Sequence, residues 1–235
     1  MTMNSVPTFV ELRALAMQSA LPATSAADDQ FVAARQKLNT PAGPVCISAL
    51  HLDGGSGRVD ALAADEFILV LTGGLSIDGR RVVLDESIVI PGGRPFDWKA
   101  DPGTLAIVMG CISGTPGGTE PIAVDTSAEL VPSGPPLAEL LVGPTPACRN
   151  NTDYRSGNGE FTVGTWDSTP YHRRTMPYRH CELMHLLEGA VTFVDGAGRQ
   201  ATFSKGDIFV IEQGAHCAWF SDVDVKKVYA IYRPL

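Results

Sequence analysis

Apolar residues along this chain fall into short runs closed by turn residues, and two of these runs repeat each other. Asp65-Glu66-Phe67-Ile68-Leu69-Val70-Leu71-Thr72-Gly73 and Cys181-Glu182-Leu183-Met184-His185-Leu186-Leu187-Glu188-Gly189 share one layout: a Glu, an apolar stretch, and a Gly seven residues after the Glu. Glu66 and Glu182 are 116 positions apart, as are Gly73 and Gly189. The same spacing runs backwards, setting Val45, Ile47 and Leu50 on Phe161, Val163 and Trp166. Downstream, Ile88-Val89-Ile90-Pro91-Gly92-Gly93 falls on Phe209-Val210-Ile211-Glu212-Gln213-Gly214, and Trp98 on Trp219, now 121 positions apart. The extra residues fit a hairpin around Val194-Asp195-Gly196-Ala197-Gly198, where Asp-Gly signals a tight turn. A turn is where a duplicated chain tolerates insertion.

Each copy reads as short strands. Ala190-Val191-Thr192-Phe193-Val194 is rich in β-branched and aromatic residues and ends at a turn; Leu75-Ser76-Ile77-Asp78-Gly79 is its counterpart. Val225 to Tyr232 reads as a closing strand, matched by Leu105 to Met109. Strands this short, with frequent turn signals, predict a sandwich or barrel. Helix is scarce. Thr8-Phe9-Val10-Glu11 has the spacing of a capping box and predicts a short helix to about Ala20. Pro136 to Val142 predicts a second helical turn. The stretch 113–146, rich in Pro and Gly, reads as a linker between an N-terminal module with helical lead-in (1–112) and a C-terminal module (147–235).

Composition narrows the function classes. Of the 235 residues 44% are hydrophobic and 19% charged, enough apolar material for packed cores. The formal net charge is −8 with no basic run, which argues against nucleic acid and anionic membrane surfaces as partners. No apolar run reaches the roughly 20 residues of a membrane span, and the first residues lack the pattern of a signal peptide. The five cysteines are odd in number and none stands in a C-x-x-C pair, so reduced thiols in a cytoplasmic protein are expected. No phosphate-binding loop, G-x-G-x-x-G, G-x-S-x-G or zinc-ribbon spacing occurs, so nucleotide-dependent, serine-hydrolase and zinc-finger readings have no support.

Glu, six residues, then Gly resembles the second half of the first cupin motif. Gly206-Asp207 to Gly214 resembles the second motif, with Glu212 where proline is usual. Gly214-Ala215-His216-Cys217-Ala218-Trp219, followed by Val225-Lys226-Lys227-Val228-Tyr229, is similar to the EutQ-like and ureidoglycine aminohydrolase-related subgroup (DUF861). The resemblance covers about residues 45–112 and 160–233. It implies an all-β fold of two tandem cupin barrels, each a double-stranded β-helix or jelly roll, preceded by short helices. Metal-binding cupins supply two His before the Glu and a His from the second motif. The corresponding residues are Met176, Tyr178 and Cys217 in copy two, and Asp60, Leu62 and Phe96 in copy one. Neither copy keeps the three-His set; both keep the Glu.

Copy two has a polar cluster that copy one lacks. His180 and Glu182 are two apart, so on a strand they share a face, with Tyr178 and Met184. The pair could work as general acid and base, or as two ligands of a divalent metal with Cys217 or His216; a purely structural polar pair is the third reading. No metal is expected in copy one. Trp219, Trp166, Cys217 and Lys227 complete the candidate ligand-binding set, with Lys227 expected to link to Glu182 or to an anionic ligand. Of Arg173 and Arg174, adjacent and therefore on opposite faces, one at most can face inward to attract a carboxylate. His185 is expected to pack on the far face from Glu182. Arg94 or Arg58 is expected to pair with Glu66. The leading expectation is therefore a small-molecule-binding protein with its working pocket in the C-terminal module. A metal-dependent hydrolase or lyase and a non-catalytic sensor or assembly protein remain alternatives, and a homodimer formed through an exposed sheet is a further expectation.

Overall fold

The computed structural model describes residues 8–20, 29–40, 44–112 and 115–235. Residues 1–7, 21–28 and 41–43 of the expected N-terminal module, and 113–114 at the start of the expected linker, lie outside that set. The chain forms two compact units. One contains Leu12–Val124 and Asp153–Val163; the other contains the chain up to Glu11, Asp125–Thr152 and Gly164–Leu235. They are called here the first and second modules.

The repeat seen in the sequence is a repeat of strands. Strands Val45–Leu52, Gly55–Val59, Asp65–Thr72, Gly74–Ile77, Arg80–Val83, Ser87–Ile90, Phe96–Ala100 and Thr104–Cys111 recur in order as Phe161–Ser168, Tyr171–Pro177, Cys181–Glu188, Ala190–Asp195, Gln200–Ser204, Ile208–Ile211, His216–Ser221 and Val225–Tyr232. In the first module Ser87–Ile90, Asp65–Thr72, Thr104–Cys111 and Val45–Leu52 lie side by side in a six-stranded sheet, and the other four strands form a second sheet. Both sheets supply the core: Leu50, Ile68, Ile88 and Ala106 from one, Val59, Leu75, Val82 and Phe96 from the other. The second module repeats this with sheets of seven and five strands. Met184, Leu186, Phe209 and Ile211 pack against Val191, Phe193, Phe203, Cys217 and Trp219. The fold is thus all-β, with antiparallel sheets facing each other across an apolar core, as a jelly roll requires.

The Glu-to-Gly spacing has a geometric cause. Gly73 and Gly189 end equivalent strands at φ +72° and +77°, in the left-handed region that favours glycine. A Cβ on Gly189 would run into the Asp224 carbonyl, and one on Gly73 would lie 2.9 Å from Thr104 Cα. The sharp turn there fixes where the Glu strand ends, and so fixes the Glu.

The expected helix from Thr8 is a strand and then a helix: Phe9–Glu11 pairs antiparallel with Ile208–Ile211, and Leu12–Gln18 is helical. Thr8 Oγ1 donates to Asp195 Oδ2 at 3.1 Å instead of capping, and Phe9 meets Phe203 edge-on. Tertiary pairing has overridden a local capping signal. A single 3-10 turn, Ala138–Leu140, occupies the second predicted helical site. The stretch 115–146 adds the short strands Ile122–Ala123, Val131–Ser133 and Leu141–Val142 to the sheets. Among the described residues no helix is long and apolar enough to cross a membrane.

Glu66 is buried, and its partner is neither Arg94 nor Arg58. Those two bind Asp78 and Asp97. Arg35, on the preceding Arg35–Lys37 strand, grips Glu66 with both terminal nitrogens at 2.6 and 2.9 Å. Its Nε donates to the Phe31 carbonyl, and its guanidinium lies 5.2 Å from the Phe31 ring centroid. Removing one member of a buried pair strands the other charge, at about 3 kcal/mol or more, whereas replacing both by apolar residues is often neutral. Arg35→Ala should therefore lower the unfolding free energy obtained by denaturant titration by that order, and Arg35→Met with Glu66→Leu should recover most of the loss.

Candidate functional site

Strand alternation builds the site. On Cys181–Glu188 the positions Glu182, Met184 and Leu186 share one face, and Met184 and Leu186 lie in the apolar core. Glu182 therefore enters the core as a carboxylate that needs a cation. Lys227 supplies it from the neighbouring Val225–Tyr232 strand. Lys227 sits opposite Leu186 in the ladder and reaches back past Met184 to Glu182. Its Nζ donates to Glu182 Oε1 at 2.8 Å and lies 3.2 Å from Met184 Sδ. The ammonium also stands 4.8 Å from the Trp166 ring centroid and 5.2 Å from that of Trp219, so two indole faces share its charge. Trp219 is fixed in turn by stacking on Tyr171 at 5.4 Å and by donating from Nε1 to Ser221 Oγ.

The second carboxylate oxygen faces His180, whose Nε2 is 3.2 Å from Glu182 Oε2. Its imidazole packs at 5.1 Å against the ring of Tyr178. Burial alone would raise the Glu182 pKa. The Lys227 charge and the His180 contact outweigh it and hold the carboxyl down at about 2. Glu182 is therefore a fixed anion, suited to orienting His180 rather than to exchanging protons itself.

Arg173 is the inward member of the arginine pair. The Tyr171–Pro177 strand is irregular between Arg173 and Met176 where it pairs with His216–Ser221. Tyr171 and Arg173 precede that irregularity, and both are buried. Arg174 points out and donates to the carbonyls of Glu139 and Leu141. Arg173 Nη2 donates to the Tyr178 hydroxyl at 3.2 Å and to the Cys217 carbonyl at 3.4 Å, and its Nε has no hydrogen-bond partner. Among the described residues no carboxylate forms a salt bridge with this guanidinium, which is 7% exposed.

The candidate set thus converges in one module. His180, Glu182, Tyr178, Met184, Cys217, Trp219, Lys227 and Trp166 all belong to it, and Lys227 reaches Glu182. Met184, Cys217 and Trp219 are at most 2% exposed and form the packed interior behind the polar cluster. Burial pushes the Cys217 thiol up to about 11, far from a reactive thiolate. His216 is exposed on the opposite face of its strand, and His185 is buried on the far side of the Glu strand. Two donors, one already bound to an ammonium 2.8 Å away, do not fit a divalent cation. Among the described residues no three His, Cys, Asp or Glu side chains gather to hold a metal ion.

Sequence reasoning missed Arg35 and Glu212. Arg35 carries no motif and lies on a strand before the repeat begins. Glu212 replaces the usual motif proline and is buried, with Cys181 Sγ at 3.8 Å from Oε2 and no partner for Oε1. Burial raises its pKa to about 7. The substitution of a proline by a carboxylate was the available signal.

Comparison with known proteins places these features. Residues 155–229 match the EutQ-like cupin domain (Cupin_3). A crystal structure from Pseudomonas syringae pv. tomato, of a protein with unknown function in the DUF861 family, is 29% identical, with a TM-score of 0.82, over 96% of this chain and 99% of that one. A putative dioxygenase from Nostoc punctiforme is 13% identical with a TM-score of 0.58, over 97% of this chain and 82% of that one. Salicylate 1,2-dioxygenase from Pseudaminobacter salicylatoxidans is 12% identical with a TM-score of 0.56, over 98% and 86%. At 12 and 13% identity the likeness to these two is one of fold. No curated protein sequence matches the chain.

Two carboxyls predict opposite pH behaviour. Glu182, lowered from 4.5 to about 2, contributes stability that is complete above pH 4.5 and lost as the pH falls towards 2. The contribution is on the order of 3 kcal/mol at 1.36 kcal/mol per unit, and Glu182→Gln should remove that acid-limb slope. Glu212, raised from 4.5 to about 7, favours folding below pH 4.5 and loses that contribution as the pH rises through 7. Glu212→Gln should therefore match the parent at pH 4.5 and exceed it in melting temperature at pH 8.

Proposed function

We propose that this chain, a member of the cupin superfamily whose residues 155–229 match the EutQ-like cupin domain, binds a compact metabolite through a carboxylate in its second module. Arg173, Tyr178 and His180 are the contacts. The observation that carries this reading is the buried guanidinium of Arg173. Among the described residues its hydrogen bonds go only to a phenol and a carbonyl, and its Nε has none. A buried charge without a counter-ion is costly. Glu182 does not serve as that counter-ion, because Lys227 and His180 take both of its oxygens. The cluster of Arg173, Lys227 and Glu182 carries one positive charge in excess, and an anionic ligand completes it.

Each other residue then has a supporting role. Trp166 and Trp219 hold Lys227, Lys227 holds Glu182, and Glu182 sets the orientation of His180. His180 is 12% exposed at its side chain and is the group that can pass a proton to or from a bound ligand. The reading is one of binding first; a reaction would add proton transfer at His180. The packed interior favours a second reading, a sensor that binds and does not catalyse. A metal-dependent hydrolase or lyase would instead show near-stoichiometric metal in purified protein by elemental analysis.

Thermal shift at low ionic strength tests the reading, with carboxylates of two to six carbons and their matched amides. Carboxylates should raise the melting temperature of the parent and amides should not; saturation at 100 times Kd corresponds to about 2.7 kcal/mol. Arg173→Met should abolish the shift while leaving the ligand-free protein as stable as the parent or more so, because a buried unpaired charge has been removed. Carboxylates without effect on the parent, or with full effect on Arg173→Met, would contradict it.

A further inference from the structure

Beside Tyr178 the second module opens into a cleft of about 570 Å³. Its wall is made by Pro177, Tyr178 and Arg179 on one side, the Gln213-Gly214 turn on another, and Arg233 with Pro234 on the third. Backbone hydrogen bonds hold two of these sides together: Tyr178 N donates to the Ala215 carbonyl, and Gly214 N to the Tyr178 carbonyl, each at 2.8 Å. The third side follows directly on Tyr232, which pairs with Cys181. The cleft is therefore framed by ladder ends rather than by a free loop.

Its charge is unusual for this chain. The protein as a whole carries −8, yet the lining holds two arginines and no carboxylate. Arg179 and Arg233 are both exposed, and among the described residues neither has an ion-pair partner. Two prolines stiffen the rim. Tyr178 belongs to both places: it lines the cleft, while its hydroxyl accepts from Arg173 and its ring packs on His180. The charged groups that line the cleft are both cations, and Tyr178 is the residue it shares with the inner site.

We infer that the metabolite carries a second acidic group, seated in this cleft between Arg179 and Arg233, so that the preferred ligand is a small diacid rather than a monoacid. The inference rests on the carboxylate site proposed above and adds what lies at the other end of the molecule. Guanidinium groups recognise carboxylate and phosphate oxygens through paired hydrogen bonds. A volume of about 570 Å³ is also larger than one carboxylate head requires, and falls in the range of ligand-binding clefts.

Linear acids that differ only in the second acid group provide the probe: butyrate against succinate, and hexanoate against adipate. Calorimetric titration of the full chain, at fixed low ionic strength, reads the dissociation constant of each. The expected result is that at least one diacid binds about tenfold or more tightly than its monoacid partner. Arg179→Gln with Arg233→Gln should erase that advantage and leave monoacid binding as it was. Both substitutions are at exposed positions, and an unchanged melting temperature of the ligand-free variant verifies folding. Equal binding of monoacid and diacid by the parent would overturn the inference while sparing the inner carboxylate site. A diacid advantage that persists in the double variant would overturn it too. No binding of either acid by the parent would remove both readings.

Discussion

A carboxylate on an inward-facing strand position must meet a cation inside the core, and both modules are arranged around that demand. The Glu is set by the turn glycine seven residues later, whose left-handed φ and lack of room for a Cβ fix the strand end. The two modules then meet the demand differently. In the first, Arg35 comes from a strand outside the repeated block and takes both oxygens of Glu66. Each oxygen of that carboxylate thus holds one nitrogen of the same guanidinium. In the second, Lys227 comes from the repeated block itself and binds one oxygen, which leaves the other for His180. One cation with a planar fork closes a site; one with a point charge leaves it half open.

That difference organises the rest of the second module. Lys227 lies against two indoles, whose faces attract its charge. Its position at Glu182 keeps the carboxylate ionised, and an ionised Glu182 steers His180. Arg173 then stands as a second buried cation that, among the described residues, has no salt-bridge partner. In the first module the position equivalent to Lys227 is Ala106, and Leu62 stands where Tyr178 does. The two copies thus differ at the polar positions that face their cores.

Much of this was legible in the sequence, for identifiable reasons. Strand order followed from the repeat, because an offset of 116 that becomes 121 inside a turn can only mean two copies of one fold. Alternation placed Glu182, Met184 and Lys227 on inward faces and His185 on the far face from Glu182, whereas His216, offered as a metal ligand beside Cys217, is exposed. Alternation also said that only one of Arg173 and Arg174 could enter; which one depended on the irregularity after Arg173, which no residue pattern announces. Thr8 was misread because a capping box is a local signal, and pairing with Ile208–Ile211 is a distant one. Arg35 was invisible because its partnership with Glu66 is made by a strand with no counterpart motif.

Under the proposed function, Arg173 is the cation that receives the ligand's anionic group. The most direct measurement is a crystal structure of the full chain soaked with a small diacid that shifts its melting temperature. The expected result is a carboxylate within hydrogen-bond distance of the Arg173 guanidinium and beside His180, with Lys227 still on Glu182. Density for the acid elsewhere on the protein, with Arg173 still bonded only to Tyr178 and the Cys217 carbonyl, would contradict it.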